Sequence, residues 1–373
     1  MSTRRIICAK ICFESCTILL KSLTTMEQED SNRGFIEIAQ DAVIELMTGS
    51  SIPTPIKRNA FKAFDQLCTA LIDIPVAYLE GVAAENRAVT QARLKIINTD
   101  GEQIAKQMDV DPEFARVAVK RYGQKILREQ VNLNKISEIA ASQIQQEAIL
   151  KLKPDAATEV PAINEDWLNN FEKQASQKST EEMQLLFGRI LAGEIQKPSS
   201  FSIKTVNLLG ELDSAVAALF LRICSLCVCL KVDDIYLDAR VSSVGGNAAS
   251  NVLRNYGLNF DQLNILQEHN LIIPDYNSYF DYKISIAGEN IGDSYQVVLP
   301  FLYQNKYYCL RPVAELPKHQ VLNLHGVALS KSGKELLRIV DIQPSENYTT
   351  ALTDYFTRQG LQMLEIKVND GNS

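Results

Sequence analysis

The residues able to do chemistry are few and widely spaced. Cys224-Ser-Leu-Cys227-Val-Cys229 has the two-residue spacing of a zinc or redox pair, but zinc takes four ligands, and no second pair or nearby histidine completes the set. These thiols lie in an apolar helix and read as core, because unpaired cysteine is among the most buried residue types. Cys8, Cys12 and Cys16 fall at four-residue steps and read as one face of an N-terminal segment. His269, His319 and His325 stand in no recognisable relation to a nucleophile or metal partner and read as structural or surface groups. Gly326 and Gly333-Lys334 superficially resemble a phosphate loop. Six residues separate these glycines, however, and Glu335 stands where Ser or Thr should bind magnesium. Gly245-Gly246-Asn247 is a flexible turn without the remaining spacing of a dinucleotide fingerprint. No metal and no cofactor is expected.

An enzyme would have to assemble its pocket from distant residues such as Glu181, Arg189, Glu194 and Asp213. Carboxylates so placed read as helix caps and surface charges, and the reading leans away from catalysis.

Positive charge is more organised. From Arg116 through Lys135 there are six basic residues and one acid, Glu129, with Arg121, Lys125 and Arg128 at three- and four-residue steps. Arg116, Lys120, Arg121, Lys125 and Arg128 are therefore the nucleic-acid-binding candidates, set against the plainer reading of a solvated helix face. The net charge of −7 argues against a chain whose main task is to cover phosphates.

The elements that carry these residues are mostly helical. Apolar positions recur at helical spacing from Phe35 to Met47, and again from Phe61 to Ile72 after Pro53 and Pro55, with a further helix from Val76 towards Ile97. Asp111-Pro112-Glu113 combines a cap, a proline suited to the first turn and an acid suited to the dipole. The helix it starts should run to about Leu150, with a break near Asn132 to Asn134. Trp167 and Phe171 should anchor a core, Ser179-Thr-Glu-Glu182 reads as a capping box, and Ser202 and Asp213 read as later caps. The apolar run Ala215 to Leu230 is shorter than the roughly 17 to 25 residues of a spanning helix and contains Arg222. It reads as one buried helix, so no membrane span is expected.

Beyond Phe260 the character changes. A short helix to Leu271 precedes strand-like runs at Tyr279 to Ile286, Tyr295 to Leu302 and Tyr307 to Leu310, with a hairpin turn at Gln304-Asn305-Lys306. A short strand from His325, a turn at Ser330 to Ser332 and a helix from Gly333 to about Val340 follow. The expected organisation is a tail or upstream extension over 1–25, a helical region over 26–152, a helical bundle over 162–235 and an α+β module over 255–373. Eight cysteines outside any loop-rich framework suit a reducing compartment, so the cytoplasm is expected.

Asp166-Trp167 through Phe171, Glu181 to Glu194 with its Leu-Ala-Gly-Glu ending, Pro198-Ser-Ser-Phe-Ser202 and Leu208 to Asp213 together resemble an uncharacterised bacterial family, domain of unknown function 2806. The resemblance covers about residues 70 to 235 and, less clearly, the C-terminus. It implies relatives rather than a chemistry. Phe187 departs from the tryptophan expected there. The C-terminal third separately resembles winged-helix modules, so the fold class is mainly α with a C-terminal α+β winged-helix-like module. Residues 255–373 nevertheless hold nine Lys and Arg against thirteen Asp and Glu, and the Phe260 to Leu271 helix carries Asp261 and Glu268 with no Lys or Arg. A DNA-reading face needs the opposite balance.

The leading reading is thus a non-enzymatic interaction or scaffold protein, with bacterial anti-phage defence as its suggested setting and another protein or self-association as its partner. The alternative is a nucleic-acid-binding regulator that uses the winged-helix-like module and the Arg116 to Lys135 surface.

Overall fold

The computed structural model describes residues 35–48, 51–68, 111–150, 160–288, 290–291, 294–295, 297–313 and 321–367. The extension over 1–25, Cys8, Cys12, Cys16, the Val76 to Ile97 helix and His319 lie outside them. The chain divides into two compact units. One takes the described residues up to Asn164 together with Ala175–Pro198, and the other takes Glu165–Gln174 and Ser199 onward.

The first unit is helical. Helices α1 (Phe35–Thr48), α2 (Thr54–Leu67) and α5 (Glu181–Gln196) all pack on α3 (Pro112–Leu150), and α2 also packs on α5. Val43, Leu46, Phe61, Phe64, Ile136, Ala140, Phe187 and Leu191 are buried, each repeating at three- or four-residue steps on its helix. Helix α3 crosses α5 so closely that a Cβ on Gly188 would stand 2.5 Å from Ile139 Cγ2, and glycine is what permits the approach. Asn59 bridges segments: its amide donates to the carbonyls of Pro161 and Ile195, and its oxygen accepts from the Ile163 amide.

Three expectations change here. Helix α3 is continuous through Asn132 and Asn134. The two asparagine side chains find partners instead of breaking it: Asn132 donates to Ser176 O, and Asn134 accepts from Gln130. The cap of α5 is Thr180, whose hydroxyl accepts from the Met183 amide, so the start falls one residue later than the Ser179 box implied. Helix α2 ends at Leu67, with Cys68 as its C-cap.

The second unit is α+β. Its helices are α4 (Glu165–Ala175, all but the last residue), α6 (Ile203–Glu211), α7 (Ser214–Leu226), α8 (Phe260–Glu268), α9 (Lys331–Leu337) and α10 (Glu346–Arg358). Seven strands form one antiparallel sheet: β1 (Val228–Val232), β2 (Ile235–Ser242), β3 (Ser278–Asp281), β6 (Phe301–Tyr303), β7 (Lys306–Pro312), β8 (Asn323–Ala328) and β9 (Leu361–Ile366). Their order across the sheet is β3-β8-β2-β1-β6-β7-β9, and β4 (Asn290–Ile291) pairs with β5 (Ser294–Tyr295) apart from it. Tyr282, Phe301, Tyr303, Tyr348 and Phe356 are fully buried in this unit.

Local caps place the helices. Ser202 accepts from the Thr205 amide, Asp213 from that of Val216, and Asn259 forms a reciprocal box with Gln262. The expected β6–β7 turn is present, with Gln304 and Asn305 both at positive φ, as a tight two-residue hairpin demands.

The run Ala215 to Leu230 is not one helix: α7 ends at Leu226, and β1 begins at Val228. Strand β3 gives way to a 3-10 turn over Lys283–Ser285, and within the expected Tyr295 to Leu302 run the described residues 297–300 lie outside any strand, with Tyr295 in β5 and Phe301 and Leu302 in β6. Helix α9 begins at Lys331, capped by Ser330, and stops at Leu337 rather than near Val340.

Candidate functional site

Asp111 starts α3 as expected, its Oδ1 accepting from the amides of Glu113 at 2.7 Å and Phe114 at 3.0 Å. The helix is anchored from Gln130 onward. Gln130 donates to Leu67 O at 2.8 Å, and Leu133, Ile136, Ala140, Ala141 and Ile144 are buried. Before Gln130 most of the described side chains are exposed, Ala115 excepted. A Cβ on Gly123 would meet nothing within 4 Å, and Lys120, Arg121, Lys125 and Arg128 are all exposed. Arg116 lies in the same helix, but its side chain is outside the described residues.

Apolar groups are interleaved with these bases. Phe114 is 67% exposed, Val117 48%, Leu127 65% and Val131 45%. At 3.6 residues per turn, Phe114, Val117, Arg121, Lys125 and Arg128 follow one line, and Lys120, Leu127 and Val131 follow the line beside it. The result is one face, basic and aliphatic together. Lys125 pairs with Glu129 at 3.7 Å across one turn, a solvent-exposed contact of small energy. Beside this face a groove of about 520 Å³ runs between Arg128, Val131 and Asn132 on α3 and Ser176, Gln177 and Ser179 opposite.

None of the other candidates is among the residues that line this groove. Glu181 is exposed in the first turn of α5 and Glu194 buried in its last, thirteen residues on; at about 1.5 Å per residue the helix itself keeps them roughly 20 Å apart. Arg189 is half-buried between them, and Asp213 is spent on capping α7. His269 is the C-cap of α8, while His325 is exposed on β8 with its ring 5.1 Å from that of Tyr279.

Cys224, Cys227 and Cys229 are buried at the turn from α7 into β1, and burial raises each thiol above its ordinary range. Such thiols are neither nucleophiles nor ready ligands. Among the described residues no group of three or more His, Cys, Asp or Glu is placed to hold a metal ion, and no helix is long and apolar enough to cross a membrane.

Two buried polar clusters were not visible in the sequence. Asp238 and Arg240 on β2 pair beneath Tyr282, whose hydroxyl donates to Asp238 Oδ2 at 2.9 Å. Burial first, and then the neighbouring carboxylate, push the Tyr282 phenol well above its ordinary range. Glu335 of α9 accepts from the Ser202 amide at 2.7 Å, the Ser202 hydroxyl at 3.0 Å and the Thr205 hydroxyl at 2.6 Å. Trp167 donates to Phe201 O at 2.8 Å. The Pro-Ser-Ser-Phe-Ser segment thus holds two other parts of its unit, which gives its residues a structural role.

Fold and surface together define an α+β protein with a helical unit in which α3 presents, among the described residues, an exposed face that is basic and aliphatic. The chain belongs to the family described as "Protein of unknown function (DUF2806)", whose sequence profile matches residues 116–353. No curated protein and no solved structure matches it.

Proposed function

We propose that the chain is a non-enzymatic interaction protein that docks an acidic, amphipathic protein surface on the exposed face of α3. The observation that supports this is the interleaving of Val117, Leu127 and Val131 with Lys120, Arg121, Lys125 and Arg128. A phosphate backbone would neutralise the bases and leave the aliphatic groups wet. A protein surface covers both, gaining about 25 cal/mol for each Å² of apolar area removed from water.

The C-terminal third fits the same reading. Its likeness to a winged helix is limited to the order of helix, hairpin, strand and helix along the chain, since β1 and β2 separate the β6–β7 hairpin from β8 in the sheet, and the acids of α8 support a use in protein contact. The nucleic-acid alternative uses the winged-helix-like module together with the Arg116 to Lys135 surface, which carries the same four exposed bases, so one assay separates the two.

The full chain is titrated against a labelled helical peptide, with leucine on one face flanked by glutamate, and against labelled single- and double-stranded DNA at about 50 to 200 mM salt. The peptide should bind and the DNA should not, and Lys125→Glu with Arg128→Glu should abolish peptide binding. DNA binding with a steep salt dependence and no peptide binding would overturn the proposal.

A further inference from the structure

The occupant of the α3 face can be named from a second surface of the same chain. Helix α8 buries Leu263 and Leu266 and turns the opposite side outward. That side carries Asp261 and Glu268, both exposed and seven residues apart, with Ile265 at 36% exposure between them and Phe260 at 39% exposure beside them. The helix has no Lys or Arg. In its own residues the outward face of α8 is acidic and apolar, the chemical complement of the basic and aliphatic face of α3, with Arg254 bordering Asp261 and Lys204 bordering Glu268 at its edges.

Spacing matches as well as sign. Asp261 and Glu268 stand seven residues apart, as do Arg121 and Arg128, so these two pairs of opposite charge share one pitch along their helices, with Ile265 between the acids and Lys125 between the bases. Both helices satisfy their own backbones, and side-by-side packing needs only side-chain contact, at the usual interaxial distance of about 8 to 10 Å.

We infer that the partner is a second copy of this chain, with α8 of one molecule laid along the exposed part of α3 of another. The inference rests on the reading of the α3 face as a docking surface. The contact joins two different patches, so it closes only if each pair of molecules makes it twice or if a ring forms. A nine-residue helix spans about 14 Å, so a single contact is small. Interfaces of this size belong to weak, reversible association whose charged component fades with salt.

Charge reversal tests this without knowledge of any other ligand. One variant carries Lys125→Glu and Arg128→Glu, and a second carries Asp261→Lys and Glu268→Lys. All four side chains are exposed, and retained far-ultraviolet circular dichroism and melting temperature confirm that each variant folds. Mass is read by analytical ultracentrifugation at low salt over a wide concentration series. The natural chain should rise above its 41.7 kDa monomer, and each variant alone should associate at least about tenfold more weakly. The two variants mixed should associate again, because each α3 face then meets an α8 face of opposite sign.

A natural chain that stays monomeric throughout, variants that associate as it does, or a mixture that stays monomeric would each overturn the inference. A monomeric natural chain that still binds the glutamate–leucine peptide removes the second copy as occupant and leaves the docking reading standing. One that binds neither removes both.

Discussion

Arg240 grips Asp238, two residues before it on β2, through two nitrogens: Nε meets Oδ2 at 2.5 Å, and a terminal nitrogen meets Oδ1 at 2.8 Å. The i and i+2 positions of a strand point to one face, and here that face is buried. The other terminal nitrogen of Arg240 donates to Ser278 O at 2.8 Å and Leu324 O at 3.1 Å, so the pair ties β2 to β3 and β8. Removing only one charge strands its partner in the interior. Arg240→Met should cost about 3 to 5 kcal/mol in urea unfolding, and Asp238→Leu with Arg240→Met together should cost less than Arg240→Met alone. A double variant less stable than the single one would contradict this.

Glu335 supports α6 from a distance in sequence. Its single Oε2 takes three donors at the Ser202 cap, and losing the carboxylate leaves those donors facing a nearly dry space. Glu335→Ala should destabilise by about 2 to 4 kcal/mol. Glu335→Gln keeps one acceptor and should lose about half as much. Equal melting temperatures for both variants and the natural chain would refute the role.

Two glycines should respond to alanine with opposite signs. A Cβ on Gly326 would stand 1.9 Å from Val241 O across the β2–β8 ladder, where Ser242 pairs with Gly326 itself. Neither backbone can yield without breaking the register, so Gly326→Ala should lower stability by more than about 3 kcal/mol. Gly123 sits in a helix interior with open space around it, and Gly123→Ala should raise stability by about 0.5 to 1 kcal/mol. Thermal melts of the two variants read both effects.

Alkaline pH should unfold the protein early. Burial raises the Cys68 and Tyr303 groups to about 12 and pushes Cys224, Cys227, Tyr282 and Tyr348 upward as well. Folded-state values above the unfolded ones mean that the neutral forms favour the fold. Their contribution is complete below the unfolded thiol value of about 8.5 and is lost as pH climbs towards the folded values. Each thiol that ionises only in the unfolded chain removes about 1.4 kcal/mol per pH unit. Stability should therefore be flat from about pH 7 to 8 and fall steeply above 9. A flat profile to pH 11 would contradict the burial of these groups.

What was legible in the sequence was local. Asp111, Ser202 and Asp213 could be read as caps because a side-chain oxygen followed by a helical pattern needs no tertiary information. The boundary between Leu226 and Val228 could not, because a buried helix end and a buried strand share one apolar run and no periodicity divides them. The Asn132 to Asn134 break failed for a related reason. Asparagine favours a turn only while its side chain lacks a partner, and Ser176 and Gln130 supply partners from outside the local sequence. At the candidate site the bases were visible from their spacing. The aliphatic groups among them were not, since Val117, Leu127 and Val131 at helical steps read equally well as core, and only the fold leaves them in solvent.

Leu127→Arg separates protein docking from phosphate binding most directly, because it moves the two in opposite directions. It removes the most exposed aliphatic group between Lys125 and Arg128 and adds a fifth cation to the described basic cluster. Isothermal titration of this variant should show affinity for the glutamate–leucine peptide falling about tenfold or more, and still no heat with duplex DNA. Undiminished peptide affinity, or DNA binding by the natural chain that grows stronger in the variant, would contradict a protein-docking role for the α3 face.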